Sequence, residues 1–349
     1  MSCKHFFFCV MVCVTIPFVL WLNPSMHGKR GGLIDTAAIP NPVSDEEIQK
    51  LMRKVKMVDK GFYQIVEMPT QGELNEYYKK HPHQPTYAGP YATTYSASDE
   101  EYMTGLCRRI HAWIPESAVA TSKHFLDIGS TTGFCLDLFQ KRGYTVKGIS
   151  SQLEIIKAKH PHLKDSVIVG NVVEQVNKLV EQNQKFSVII LLHVMNRVLD
   201  PAKLLDQIKN ILVEDGCLVI GVPNDFNKLQ MRLVNEKKIT PFWIAPPQHL
   251  SYWNIGGLKK FARKRKWKIL TYTTDYPIDF DLLEDYSNYN RHKELGIYSH
   301  RKRVEVVNML VKESVEATNE YYKGLCNLGF GRELFMFLQH RSKKSLLSP

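Results

Sequence analysis

Residues 124–141 read HFLDIGSTTGFCLDLFQK, and this stretch is the most informative about the fold. Its pattern predicts a buried strand over 124–128 and a helix over 133–141. Gly129 and Gly133 lie in the turn between them, where glycine lets the backbone approach a nucleotide-like ligand closely. The helix N-terminus adds free N–H groups and the positive end of the helix dipole. Because the turn lies between a strand and a helix, it indicates a ligand-binding loop more strongly than its glycines alone would.

The chain on the C-terminal side of this turn alternates between strand-like and helix-like patterns. Such alternation is typical of an α/β fold with a parallel sheet. We expect strands over residues 124–128, 145–149, 167–169, 186–192, 217–222, 267–273 and 333–339. We expect helices over 133–141, from about 152, over 174–181, from Pro201, from a cap at Asn254 to about 264, and over 304–322. The prediction is a Rossmann-like, seven-stranded, mostly parallel sheet with helices on both faces.

The chain on the N-terminal side of the turn has a different composition. Residues 24–43 are rich in glycine, proline and small side chains, and are predicted to form a linker. Capping boxes at 44–47 and 98–101 predict two helices, with a shorter helix over 73–80 and an irregular stretch over 81–90. We therefore expect a helical cap over residues 44–118, which covers a ligand pocket in a main domain over 119–342.

The turn and three later motifs occur in a fixed order. Asp127, Gly129 and Gly133 match the pattern D-x-G-x-G-x-G, in which Thr131 replaces the middle glycine. The segments HVMNR at 193–197 with Asp-Pro at 200–201, DGCLVIGVPN at 215–224 and PQHL at 247–250 with Tyr-Trp at 252–253 follow. In this order they resemble class I S-adenosylmethionine (SAM)-dependent methyltransferases of the small-molecule and quinone type, over about residues 120–275.

The resemblance implies that SAM is the cofactor and suggests which residues bind it. The residues carried over from the family are Asp127, Gly129, Ser130, Gly133, Ser150, Asn171, Val172 and His193.

Several positions depart from the family pattern. Ser150 stands where the family usually has an acidic residue that grips the ribose, and Asn171 where it often has aspartate. Asn196 and Arg197 replace a glutamate and a histidine. Each lost charge-assisted hydrogen bond costs about 1.5–3 kcal/mol, or roughly ten- to a hundredfold in affinity. A membrane-tethered pseudo-methyltransferase that serves as a scaffold is therefore a second hypothesis.

Methyl transfer mainly requires alignment of donor and acceptor, and a hydroxyl acceptor also benefits from a general base. Histidine suits this role near neutral pH. His193 follows the fourth predicted strand, and His249 lies in a loop beyond the fifth. We expect one of them to act as the base, with a small-molecule, lipid or glycan hydroxyl as the acceptor. His249 is favoured as the base because its loop can reach the acceptor, and His193 is favoured for a contact next to SAM. Otherwise each is a polar rim or core histidine. Segment 275–301 and the tyrosines Tyr87, Tyr91 and Tyr95 either roof the acceptor pocket or serve as ordinary packing.

Charge and cysteine content exclude other functions. The net charge is +11, but the basic residues are scattered and accompany no nucleic-acid motif, so a solvated basic face is favoured over nucleic-acid binding. No cysteine pair has metal-ligand spacing, and no metal site is predicted. Cys107, Cys135, Cys217 and Cys326 are scattered singly and are expected to be buried free thiols.

Phe6–Leu22 is a run of seventeen residues without charge. It favours an uncleaved, single-pass signal anchor in the ER or Golgi, with a cleaved signal and a secreted protein as the alternative. The flanking charges, Lys4 against Lys29 and Arg30, leave the orientation open. The absence of an N-glycosylation sequon and the expected free thiols favour a cytosolic domain, although a lumenal one stays open. The sequence specifies neither the oligomeric state nor the acceptor.

Overall fold

The computed structural model describes residues 42–58, 61–81 and 95–340. The predicted anchor at 6–22, nearly all of the linker, Tyr87 and Tyr91 lie outside the described residues. Within the described ranges, no helix combines the length and the apolar character needed to cross a membrane.

A seven-stranded sheet forms the centre of the protein, as predicted. Its strands are β3 (His124–Ile128), β4 (Thr145–Ser150), β5 (Val167–Val169), β6 (Phe186–Leu192), β7 (Leu212–Pro223), β9 (Trp267–Thr274) and β10 (Glu333–His340). Their order is β5-β4-β3-β6-β7-β10-β9, and β10 pairs antiparallel with both of its neighbours. Strands β4 and β5 lie on one side of β3, and β6 and β7 lie on the other, so the strand order reverses between the neighbours β3 and β6, where an open α/β sheet usually binds its ligand.

Helices cover both faces of this sheet. They are α1 (Asp45–Met52), α2 (Gln71–Lys80), α3 (Ala97–Ala112), α4 (Glu116–Val119), α5 (Phe134–Lys141), α6 (Glu154–Lys159), α7 (Val172–Glu181), α8 (Pro201–Ile211), α9 (Lys228–Asn235), α10 (Ile255–Lys264), α11 (Gly296–Glu313) and α12 (Val315–Leu328). Side chains alternate along β6: Ile189 and Leu191 join one hydrophobic cluster, and Val188 and Ile190 join another. Because all four are fully buried, the strand is covered on both faces, which explains its uninterrupted apolar sequence.

The N-terminal region contains strands as well as the predicted helices. The short strands β1 (Val55–Met57), β2 (Tyr63–Ile65) and β8 (Ser251–Tyr252) form a second sheet, which the sequence did not predict. Tyr63 pairs with Tyr252, so this sheet joins the region before the main domain to the loop after β7.

One of the two predicted capping boxes is confirmed, and the position predicted for the other was wrong. The box at Ser44 and Glu47 is present. The second box uses Ser96 and Asp99 instead of residues 98–101, because Ser96 has the extended backbone of a cap and Ser98 is already helical. Helix α3 therefore begins at Ala97.

The predicted single helix over 304–322 was wrong. Two helices, α11 and α12, meet at Ser314, whose extended backbone interrupts the helix and whose side chain accepts a hydrogen bond from the Ala317 amide. Segment 275–301 is irregular, as expected, apart from three short 3-10 turns and the first turns of α11.

Candidate functional site

A cavity of about 630 Å³ lies at the carboxyl ends of β3, β4, β5 and β6. Helices α2 and α3 line its opposite side through residues that include Leu74, Tyr78, Met103 and Leu106. Of the helices in the region predicted to form a cap, α2 and α3 contribute to the cavity lining.

The turn after β3 holds its shape through backbone hydrogen bonds. The amides of Gly129 and Ser130 both donate to the Ile149 carbonyl at 2.9 Å. Gly129 has a φ of +86°, and a Cβ atom there would lie 2.5 Å from Val194 Cγ2. Only glycine fits this position without strain. Gly129 has no side chain, and its backbone forms part of the cavity wall.

Not every predicted cofactor residue lines the cavity. Asp127, Gly129, Ser150, Asn171, Val172 and His193 do. Ser130 and Gly133 lie beside it: Ser130 is buried, and Gly133, with a φ of +82°, begins α5. Their roles are to shape the turn and to start the helix, and direct cofactor contact stays a prediction.

Asp127 places a buried carboxyl group at the end of β3. Burial raises its pKa to about 7, and the neighbouring Ser130 hydroxyl acts in the opposite direction. A carboxyl group with this pKa is partly protonated at neutral pH. A cationic ligand in the cavity would stabilise its charged form, so this wall of the cavity favours a positive group.

Ser150 and Asn171 are already engaged by their own backbone. The Ser150 hydroxyl donates to the Gln152 carbonyl at 2.5 Å and accepts from the Gln152 amide at 3.2 Å. Asn171 Oδ1 accepts from the amides of Val173 and Glu174 and so caps α7. A contact between this oxygen and a bound cofactor would therefore compete with the helix cap.

His193 occupies the cavity wall directly after β6. Its φ is +55°, in the left-handed region that favours glycine, and its amide donates to the Gly221 carbonyl at 2.8 Å. Its ring Nε2 lies 3.3 Å from Glu333 Oε2. This conformation is uncommon for a residue other than glycine, and at the cavity wall it motivates a functional hypothesis for His193.

Glu333 is a functional candidate that the sequence did not reveal. It is the first residue of β10 and is buried. Burial and the neighbouring Asp275 raise its pKa well above the ordinary value. The antiparallel strand β10 brings Glu333 to His193 across 140 residues of sequence, so no local motif could have indicated this pair.

His249 lies outside the residues that line the cavity. Its amide donates to the Ala245 carbonyl, and its own carbonyl accepts from the Tyr252 hydroxyl at 3.0 Å. The structure therefore places His193, and not His249, at the cavity, and a catalytic role for His249 stays a prediction.

The expectation of four free thiols was half wrong. Cys217 and Cys326 are buried and free, but Cys107 and Cys135 form a disulfide with a Cα–Cα distance of 5.3 Å. Sequence spacing could not reveal this pair, because one cysteine lies in α3 and the other at the start of α5. Both line the cavity, so the bond ties the cap to the helix that follows the glycine turn.

Two cationic side chains at the cavity were also missed as site residues. Lys79 of α2 and Arg197, four residues after His193, both line the cavity. Over residues 42–58, 61–81 and 95–340, no group of three or more potential metal ligands occurs.

Comparisons with known proteins point to one family. A sequence model of a methyltransferase domain matches residues 100–272. No curated protein matches the chain.

The chain also resembles solved structures at low identity. A SAM-dependent methyltransferase from Archaeoglobus fulgidus is 16% identical, with a TM-score of 0.44 and coverage of 68% of this chain and 93% of that one. The Burkholderia thailandensis 1,6-didemethyltoxoflavin-N1-methyltransferase, with bound 1,6-didemethyltoxoflavin and S-adenosylhomocysteine, is 12% identical. Its TM-score is 0.45, with coverage of 83% of this chain and 100% of that one. These likenesses are too distant to carry a conclusion about the substrate.

Proposed function

We propose that the protein is a class I SAM-dependent methyltransferase, which binds SAM and transfers its methyl group to an oxygen of a small-molecule, lipid or glycan acceptor. The match of residues 100–272 to a sequence model of a methyltransferase domain supports this proposal. The single observation that carries this proposal is the glycine turn after β3, which opens into a 630 Å³ cavity beside the buried Asp127.

The residues around the cavity suit the two ends of SAM. The close backbone at Gly129 admits the nucleoside, and the Asp127 carboxylate pairs with the ammonium group of the methionine portion. SAM, when bound, supplies an electrophilic methyl group on a sulfonium. Ser150 offers one hydroxyl in place of the acidic residue that would accept hydrogen bonds from the ribose. We therefore expect the ribose of SAM to be bound more weakly than in most of the family.

His193 is the general base of this proposal. Glu333 holds its imidazole ring at the cavity wall through the contact at Nε2. The acceptor hydroxyl loses its proton to the imidazole as its oxygen gains the methyl group, and S-adenosylhomocysteine (SAH) leaves as the neutral product. Glu333 is a positioning residue in this scheme, because it acts through His193.

Binding calorimetry with SAH on the full-length protein tests the proposal. We expect binding in wild type and none in Gly129→Ala, because the new methyl group would overlap Val194. Gly143→Ala is the matched control, since its φ of +81° is similar but no atom lies within 4 Å of the added Cβ. Equal loss in both variants, or no binding in wild type at millimolar SAH, would count against the proposal.

A non-catalytic scaffold is the second candidate function. The observations that favour it are the replaced acidic residue at Ser150 and the internal engagement of the Asn171 side chain. A scaffold predicts feeble SAH binding and no methyl transfer, whereas an enzyme predicts clear SAH binding together with methyl transfer.

We further propose that Phe6–Leu22 anchors the protein in the ER or Golgi membrane and that the domain faces the lumen. The Cys107–Cys135 disulfide supports the lumenal side, because disulfides persist in oxidising compartments. Carbonate washing should leave the protein in the membrane fraction, and protease added to intact vesicles should spare the domain. A mature secreted chain that starts near residue 25 would show a cleaved signal instead.

A further inference from the structure

The cavity lining carries charges of both signs. Its carboxylates are Asp127 at the end of β3 and Glu174 in the first turn of α7. Its cations are Lys79 of α2 and Arg197, which follows His193 by four residues. An acceptor beside His193 therefore shares the cavity with both cations.

Arg197 is built into the cavity wall and does not extend freely into solvent. It is 8% exposed, and its amide donates to the Val194 carbonyl at 2.9 Å. Its charge acts on Tyr78 of the cap: burial raises the pKa of Tyr78 to about 12, and Arg197 opposes this rise. A guanidinium group in this position presents a planar set of donors that matches a carboxylate or a phosphate.

The walls near these cations are apolar. Leu74 of α2 and Met103 and Leu106 of α3 are buried and line the cavity. Burial of apolar ligand surface against them contributes roughly 25 cal/mol per Å². The net charge of +11 also attracts anions to the protein as a whole.

We propose that the acceptor is an amphipathic anion, whose carboxylate or phosphate binds Arg197 and Lys79 and whose apolar part packs on Leu74, Met103 and Leu106. The inference rests on the proposed function, since it names the class of acceptor at that same site. The anion fixes the acceptor at one end, so that a hydroxyl elsewhere on the molecule can lie beside His193.

A series of four matched ligands tests the inference without knowledge of the natural acceptor. The probes are phenylpropionate, phenylpropyl phosphate, phenylpropanol and phenylpropylammonium, which share an apolar body and differ in the head group. Each is titrated into the full-length protein with and without saturating SAH. We expect one or both anions to bind at least about tenfold more tightly than the alcohol and the cation. The order of the two anions distinguishes a carboxylate from a phosphate head.

Three variants test whether Arg197 is responsible for the preference for anionic probes. Arg197→Met should abolish the preference for anions while SAH affinity stays within about twofold. Arg197→Lys, which retains the charge without the planar fork and guards against misfolding, should keep part of the preference. Arg232→Met is the matched control, because that side chain is 69% exposed on α9 and lies outside the cavity.

Two results would overturn the inference. One is equal binding of all four probes by wild type. The other is an equal fall in SAH and anion affinity in Arg197→Met, which would mean that the arginine serves the carboxylate of the cofactor. Failure of SAH to bind counts against the proposed function alone, because the titrations without SAH still decide whether Arg197 selects anions.

Discussion

The affinity of the protein for SAH should depend steeply on pH, because the group that we assign to its ammonium is Asp127. Burial raises the pKa of this carboxyl group to about 7 in the ligand-free protein. Only the charged form pairs with the ammonium group, so the apparent affinity scales with the ionised fraction. That fraction is near one above pH 8 and about 0.01 at pH 5, if the pKa is about 7. We therefore expect roughly a hundredfold weaker binding at pH 5, which equals about 2.7 kcal/mol.

Asp127 also affects the free energy of unfolding. Its contribution to stability falls as the pH rises, whereas the affinity for SAH rises. An ordinary aspartate has a pKa near 3.9, so between about pH 4 and pH 7 the folded protein binds more protons at Asp127 than the unfolded chain does. Its contribution to the free energy of unfolding therefore falls as the pH rises through this window, and levels off above it. Asp127→Asn should remove this contribution.

Calorimetry across this pH range, in pairs of buffers with different ionisation enthalpies, measures both the affinity and the protons released on binding. Wild type should lose up to tenfold in affinity per pH unit below about pH 7 and should release protons there. Asp127→Asn should bind weakly with a flat profile. A flat wild-type profile, or the same slope in Asp127→Asn, would refute the assignment of this carboxyl group to the cofactor.

Three further predictions follow from the site. Ser150→Asp should tighten SAH binding, measured by calorimetry, because a carboxylate would provide the missing ribose grip; a clear weakening would show that the ribose is held by another route. Replacing Cys107 and Cys135 together by serine should lower the free energy of unfolding by about 3–4 kcal/mol, since the bond closes a loop with a sequence separation of 28; an unchanged denaturant midpoint would contradict this. Once an acceptor is known, His193→Ala should lower turnover by about 10²–10⁴-fold with SAH affinity and melting temperature nearly unchanged, while His249→Ala, being outside the cavity, should have a smaller effect; unchanged turnover in both variants would remove histidine from the mechanism.

The strands of the sheet could be predicted closely because they are short and rich in apolar residues. Strands β3, β5 and β6 begin and end at the predicted residues, since apolar runs of this length, enriched in β-branched residues and bounded by turn residues, favour strands over helices. The break at Ser314 could not be predicted, because apolar residues at Val311 and Val315 continue the helical period across it. The sheet of β1, β2 and β8 was missed because strands of two or three residues carry no periodicity.

Part of the candidate site was predictable because it lies where predicted strands end. Asp127 lies near the end of β3, and Gly129 and His193 follow β3 and β6 directly. The carboxyl ends of parallel strands meet at one edge of the sheet. Glu333, the Cys107–Cys135 disulfide and the cap residues Tyr78 and Lys79 come from distant parts of the chain. Only tertiary packing brings them to the cavity, and a single sequence does not record it.

Transfer of a labelled methyl group tests the central claim most directly. The purified full-length protein, incubated with trideuteromethyl-SAM and extracts of metabolites, lipids and glycans from cells that lack it, should produce at least one labelled product by mass spectrometry. Gly129→Ala should give no such product, and Gly143→Ala should give it. If wild type binds SAH but no extract yields a labelled product above the Gly129→Ala background, the protein is a binding protein and the catalytic account is contradicted.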